Sequence, residues 1–88
     1  MQADKGPILQ KLKTARGQLD GIIRMVEEDK YCVDISNQIL AAQALLKSSN
    51  REILRAHLDH CVYQSFASEE AKEEKIEEIQ KILDRLMK

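Results

Sequence analysis

Residues 32–66 read "CVDISNQILAAQALLKSSNREILRAHLDHCVYQSF". Neither glycine nor proline interrupts the stretch. Cys32, Ile35, Ile39, Ala42, Leu46, Ser49 and Ile53 recur in steps of three and four, the period of one helical face. Leu45, Leu54, Leu58, Val62 and Phe66 add a second stripe, so this helix is apolar on more than one side and belongs at the centre of a bundle. Its weakest point is "SSN" at 48–50, where Asn50 is a competent cap for a new helix. The apolar spacing holds on both sides of it, so one continuous helix is expected.

Continuity decides what the donors within it can do. "RAHLDHCVY", residues 55–63, puts His57 and Cys61 one turn apart on one face. His60 points about 100° away from Cys61 and reads as a rim histidine. Cys32 precedes His57 by 25 residues and Cys61 by 29. At ~100° per residue both separations return to within ~20° of the starting face. At 1.5 Å rise per residue they also correspond to roughly 37–44 Å along a continuous helix, whereas metal–ligand bonds are only ~2.0–2.3 Å long. One chain then cannot close a three-donor site, but an antiparallel copy can, by bringing its Cys32 beside the first chain's His57 and Cys61. Two-fold symmetry gives two such sites per dimer.

Two thiolates and one imidazole form a soft set. Soft thiolates select Cu(I), zinc or iron–sulfur clusters. Structural zinc normally takes four ligands, no fourth is obvious, and clusters want more cysteines; monovalent copper is the best chemical match. The competing reading is two packed cysteines and a surface histidine. A Cys–His nucleophile is disfavoured, because no glycine-shaped oxyanion loop accompanies it, so no enzyme activity is expected.

The rest of the chain fits a small helical protein. Its 88 residues make one domain, 1–88, the expectation, and a chain so short gains from oligomerisation. All three glycines and the one proline lie at or before position 21. Ile8, Leu12, Ala15, Leu19, Ile22 and Val26 form a first helical stripe with Gly17 and Gly21 inside it. Ser68 is a candidate N-cap, followed by acidic Glu69 and Glu70 and a stripe at Ile76, Ile79, Leu83 and Leu86. The expectation is all-α, with helices at about 6–28, 32–66 and 69–87. No run approaches the ~20 apolar residues of a membrane span, and "MQADKGPILQ" lacks a signal-peptide core, so a cytoplasmic location with reduced thiols is expected. The formal net charge is −1, but residues 1–24 carry +3 (Lys5, Lys11, Lys13, Arg16 and Arg24 against Asp4 and Asp20). A basic first helix on an acidic remainder is a modest pointer to an anionic partner, next to the plainer reading of a solvated face.

"KLKTARGQLDGIIRMVEEDKYCVDI", "QILAAQALL", "HLDHC" and "IEEI" together resemble the CsoR/RcnR family of bacterial metal-sensing repressors, in its copper-sensing branch. The resemblance spans roughly residues 9–80. It implies an antiparallel four-helix-bundle homodimer, assembled as a dimer of dimers into a disc-shaped homotetramer. Each Cu(I) would be held by Cys32 of one protomer and His57 and Cys61 of the other. It also implies binding of operator double-stranded DNA when metal-free and release on Cu(I) binding, which derepresses copper-resistance genes. Tyr31 matches the family's tyrosine beside the metal, and "IEE" places its glutamate at Glu78, with Glu77 a competitor because this chain carries one extra residue in the loop before it. For DNA the resemblance points to basic residues of the first two helices: here Lys11, Lys13, Arg16, Lys47 and Arg51. Lys11 and Ser48 stand where arginines are usual. Two alternatives stay open, a thiol or sulfane-sulfur sensor on the same fold and a non-regulatory helical interaction bundle. The retained His57 argues against the sulfur sensor.

Overall fold

The computed structural model describes residues 1–65 and 68–86, and all their side chains except those of 62, 64 and 65. It consists of three helices, α1 (Lys5–Glu27), α2 (Cys32–Ser65) and α3 (Glu69–Leu86), with no strand among the described residues. The expected helix ends at 66 and 87, the stripe residue Phe66 and the Val62 side chain lie outside the description. No helix among the described residues is long and apolar enough to cross a membrane.

Contacts divide the chain into two compact units, Ala3–Ile53 and Leu54–Lys88 with Met1–Gln2. The first is an αα-hairpin of α1 and the N-terminal part of α2. Asp4 caps α1, its carboxylate accepting from the Gly6 N–H at 3.3 Å. Pro7 falls in the first turn, where a missing N–H costs nothing. The buried positions are Ile8, Ala15 and Ile22 on α1 and Ala42 and Ser49 on α2, each seven residues from the next, as in paired helices that meet along a narrow seam. The other members of the α1 stripe, Leu12, Leu19 and Val26, are exposed. They lie one turn from the seam and face outward from the single chain. A Cβ added at Gly17 or Gly21 would meet no atom within 4 Å, so these glycines serve no close helix approach inside the chain.

The turn between α1 and α2 is built without glycine. Lys30 N–H donates to Met25 O at 2.9 Å and Asp29 N–H to Val26 O at 3.1 Å. This is the paired bonding of a Schellman turn, with Asp29 in the left-handed position at φ 53°. Glycine adopts that conformation freely, and aspartate does so at a cost. Asp29→Gly should therefore stabilise the chain by about 0.5–1 kcal/mol, seen as a higher urea midpoint with an unchanged slope; a lower midpoint would show that the Asp29 side chain itself holds the turn.

α2 passes through "SSN" unbroken. Ser49 is buried, and its hydroxyl donates to Leu45 O one turn back at 2.9 Å. That bond spends the hydroxyl inside the helix instead of on a cap, which is how a serine survives mid-helix.

In the second unit α3 begins where Ser68 accepts from the Ala71 N–H at 3.0 Å, with Glu69 and Glu70 in the first turn. The face of α3 differs from the one its large apolar residues mark. Ile76, Leu83 and Leu86 are exposed, and the buried residue is Ile82. Ala71, Lys75, Glu78 and Ile79 are half-buried with it. They run at helical spacing along one side; of its two charged residues, Glu78 is partnered by His57 of α2 and Lys75 by Glu78.

Candidate metal centre

His57 and Cys61 lie one turn apart on α2, as their spacing requires, and Glu78 of α3 joins them. One donor atom from each lies within 4.8 Å of the others. Cys61 is a free thiol, 1% exposed, with Sγ 3.5 Å from His57 Nε2. His57 Nε2 also hydrogen-bonds Glu78 Oε1. The other carboxylate oxygen, Oε2, accepts from Lys75 Nζ at 3.3 Å and lies 3.9 Å from Cys61 Sγ. The hydrogen bond from His57 holds the Glu78 carboxyl below the usual carboxylate range; partial burial opposes this and the Lys75 ammonium reinforces it. Glu78 is thus an anion at neutral pH and an acceptor for the imidazole N–H.

One detail departs from the expectation that a ligating imidazole donates its other N–H to an oxygen. The same nitrogen, Nε2, both lies 3.5 Å from the thiol and bonds Glu78. An ion held between Cys61 and His57 cannot leave that contact as it is: either Nε2 exchanges Glu78 for the ion, or the ring turns to present Nδ1.

The remaining sequence candidates fall elsewhere. Glu77, beside Glu78, is exposed on α3. Cys32 is an exposed free thiol and the first residue of α2. Tyr31 precedes it, its carbonyl accepting from the Ile35 N–H at 3.1 Å and its side chain exposed. Neither Cys32 nor His60 joins the cluster around His57. Lys13, Arg16, Lys47 and Arg51 are exposed in the first unit. Lys11 is engaged within the chain: its ammonium donates to Ser48 Oγ at 2.8 Å and pairs with Glu52 at 3.3 Å. The two positions that depart from the family pattern, Lys11 and Ser48, are therefore bonded to each other. Sequence reasoning missed Lys75; the one available signal was its i, i+3 spacing to Glu78.

The donor chemistry fits a soft metal: a buried thiol and an imidazole side by side, with a second thiol exposed on the same helix. The profile of the family described as metal-sensitive transcriptional repressors matches residues 4–85. The chain belongs to this family. It is a family of transcriptional repressors, not of enzymes, and the match encloses the residues, roughly 9–80, that carry the CsoR/RcnR resemblance. Among similar proteins, the copper-sensing transcriptional repressor CsoR of Mycobacterium tuberculosis (strain ATCC 25618 / H37Rv) is 51% identical over 61 residues, which cover 69% of this chain and 51% of that protein. The CsoR of Bacillus subtilis (strain 168) is 45% identical over 65 residues, covering 74% of this chain and 64% of that one. The chain thus spans about half the length of the mycobacterial relatives it matches. The crystal structure of the copper-sensing repressor CsoR with Cu(I) from Geobacillus thermodenitrificans NG80-2 superimposes with a TM-score of 0.82 at 34% identity, over 92% of this chain and 83% of that one.

Proposed function

We propose that this chain is a Cu(I)-responsive transcriptional repressor, bound to operator double-stranded DNA when metal-free and released by Cu(I), so that copper-resistance genes are derepressed. The observation that carries the reading is the buried Cys61 thiol beside the His57 imidazole on a helix whose first residue is the other cysteine. Because α2 is one element from Cys32 to Ser65, the axial argument applies: helical rise separates Cys32 from the other two donors by tens of ångströms. Each ion would be held by Cys32 of one protomer and His57 and Cys61 of its mate, in an antiparallel four-helix-bundle homodimer that pairs into a homotetramer. The exposed Leu12, Leu19, Val26, Leu40 and Leu46 supply apolar surface for such assembly. The likeness to copper-sensing repressors supports the choice of metal.

In this reading residues 1–88 form one metal-sensing, DNA-binding domain working in the cytoplasm. Tyr31 and Glu78 flank the metal, with Glu77 a bystander. Lys11, Lys13, Arg16, Lys47 and Arg51 contact phosphates, and Lys11 does so by leaving Glu52. Copper reaches the DNA through Glu78: an ion at His57 alters the His57–Glu78 contact, and with it the hold of α2 on α3.

The test starts from genomic fragments selected by the reduced, metal-free protein. One equivalent of Cu(I) per chain should weaken binding to those fragments several-fold to about 150-fold, the range of ordinary allosteric coupling. Gel-shift binding that copper leaves unchanged would remove the repressor assignment.

A further inference from the structure

The cluster at His57 contains a cation of the chain's own. The Lys75 side chain is 26% exposed, and its ammonium sits 3.3 Å from Glu78 Oε2, the oxygen that faces Cys61. Oε1 is occupied by His57. Both oxygens of Glu78 are thus engaged, one by an imidazole and one by an ammonium. Glu78 is also the oxygen donor that shares the cluster with His57 and Cys61. The ligand set therefore depends on whether Glu78 is free. With Glu78 held back, the donors are two thiolates and an imidazole, a set for a soft monovalent ion. With Glu78 added there are four mixed S, N and O donors, the number and kind a tetrahedral divalent ion takes.

We propose that Lys75 is the specificity-determining residue of the metal centre, favouring a monovalent over a divalent ion. It does so in two ways. Its ammonium keeps Glu78 out of the ligand set, and its charge repels a divalent ion twice as strongly as a monovalent one at equal distance. A partly exposed i, i+3 ion pair contributes little to stability. The inference rests on the reading that His57 and Cys61 hold the metal.

The test uses the reduced full chain and Co(II) as a spectroscopic probe of four-coordinate divalent binding. Lys75→Met removes the charge and keeps an unbranched side chain one atom shorter; Lys75→Arg keeps the charge. One unit of charge a few ångströms away in partly solvated surroundings corresponds to roughly tenfold in affinity for each unit of ion charge. Lys75→Met should therefore bind Co(II) about a hundredfold more tightly than wild type, with the intense d–d bands of a tetrahedral site. Its Cu(I) affinity, from chelator competition, should rise by a smaller factor, and Lys75→Arg should match wild type in both. Adding Glu78→Gln to Lys75→Met should remove the tetrahedral bands. A Lys75→Met protein whose Co(II) affinity and spectrum equal the wild type's overturns the proposal. The underlying reading fails on a separate signal, a His57→Ala protein with undiminished Cu(I) affinity.

Discussion

His57→Ala should lower Cu(I) affinity by about a hundredfold or more, read by competition with a strong Cu(I) chelator under reducing conditions. Loss of a group that merely orients a ligand costs about 10–100-fold, and His57 is placed to be a ligand. The proposed sharing of each site between chains predicts a stricter form of the same result. Neither Cys32→Ala nor Cys61→Ala protein should bind Cu(I) tightly alone. Mixed, unfolded together and refolded, they should recover binding. Each mixed dimer pairs an intact Cys32 from one chain with intact His57 and Cys61 from the other, which makes one complete site. Random pairing makes half of the dimers mixed, so about a quarter of the wild-type capacity should return. No recovery would mean that the three donors do not meet across two chains.

Glu78→Ala should separate binding from response. It should cost about tenfold in Cu(I) affinity yet remove most of copper's effect on DNA binding, from up to about 150-fold to nearly none. The reason is the His57–Glu78 hydrogen bond, the proposed route by which a change at His57 reaches α3. Glu77→Ala is the control: Glu77 is exposed beside the cluster and outside it, and its loss should leave both quantities unchanged. A Glu78→Ala protein that still releases DNA fully on copper would put the coupling elsewhere.

Much of this was readable from residue spacing, and the failures share a cause. The absence of breakers after Gly21 and the three- and four-residue steps mark the long second helix, and the structure carries it through 48–50 by Ser49's bond to Leu45. His57 and Cys61 meet because four residues is one turn. Sequence alone could not orient α3. Its bulky residues Ile76, Leu83 and Leu86 suggest one face, but the half-buried side includes Lys75 and Glu78. Hydrophobic patterning assumes that charge stays outside, and it fails where a histidine on the neighbouring helix gives a carboxylate a partner, and that carboxylate a lysine. The same blindness left Glu77 and Glu78 undecided, since a one-residue shift in phase is about 100° on a helix. The turn at Asp29 was hidden for a different reason: aspartate occupies a backbone conformation whose usual marker is glycine.

On the proposed reading, the bond between Lys11 and Glu52 bears on the affinity for DNA. A lysine already paired inside the protein does not add a new ion pair when it meets a phosphate; it exchanges one. The phosphate still sheds its condensed cation, because condensation belongs to the duplex and a lone carboxylate such as Glu52 binds no cation in exchange. A plot of log affinity against log salt would therefore still count Lys11 among the phosphate contacts. The cost of parting from Glu52 would appear instead as a lower affinity at every salt concentration.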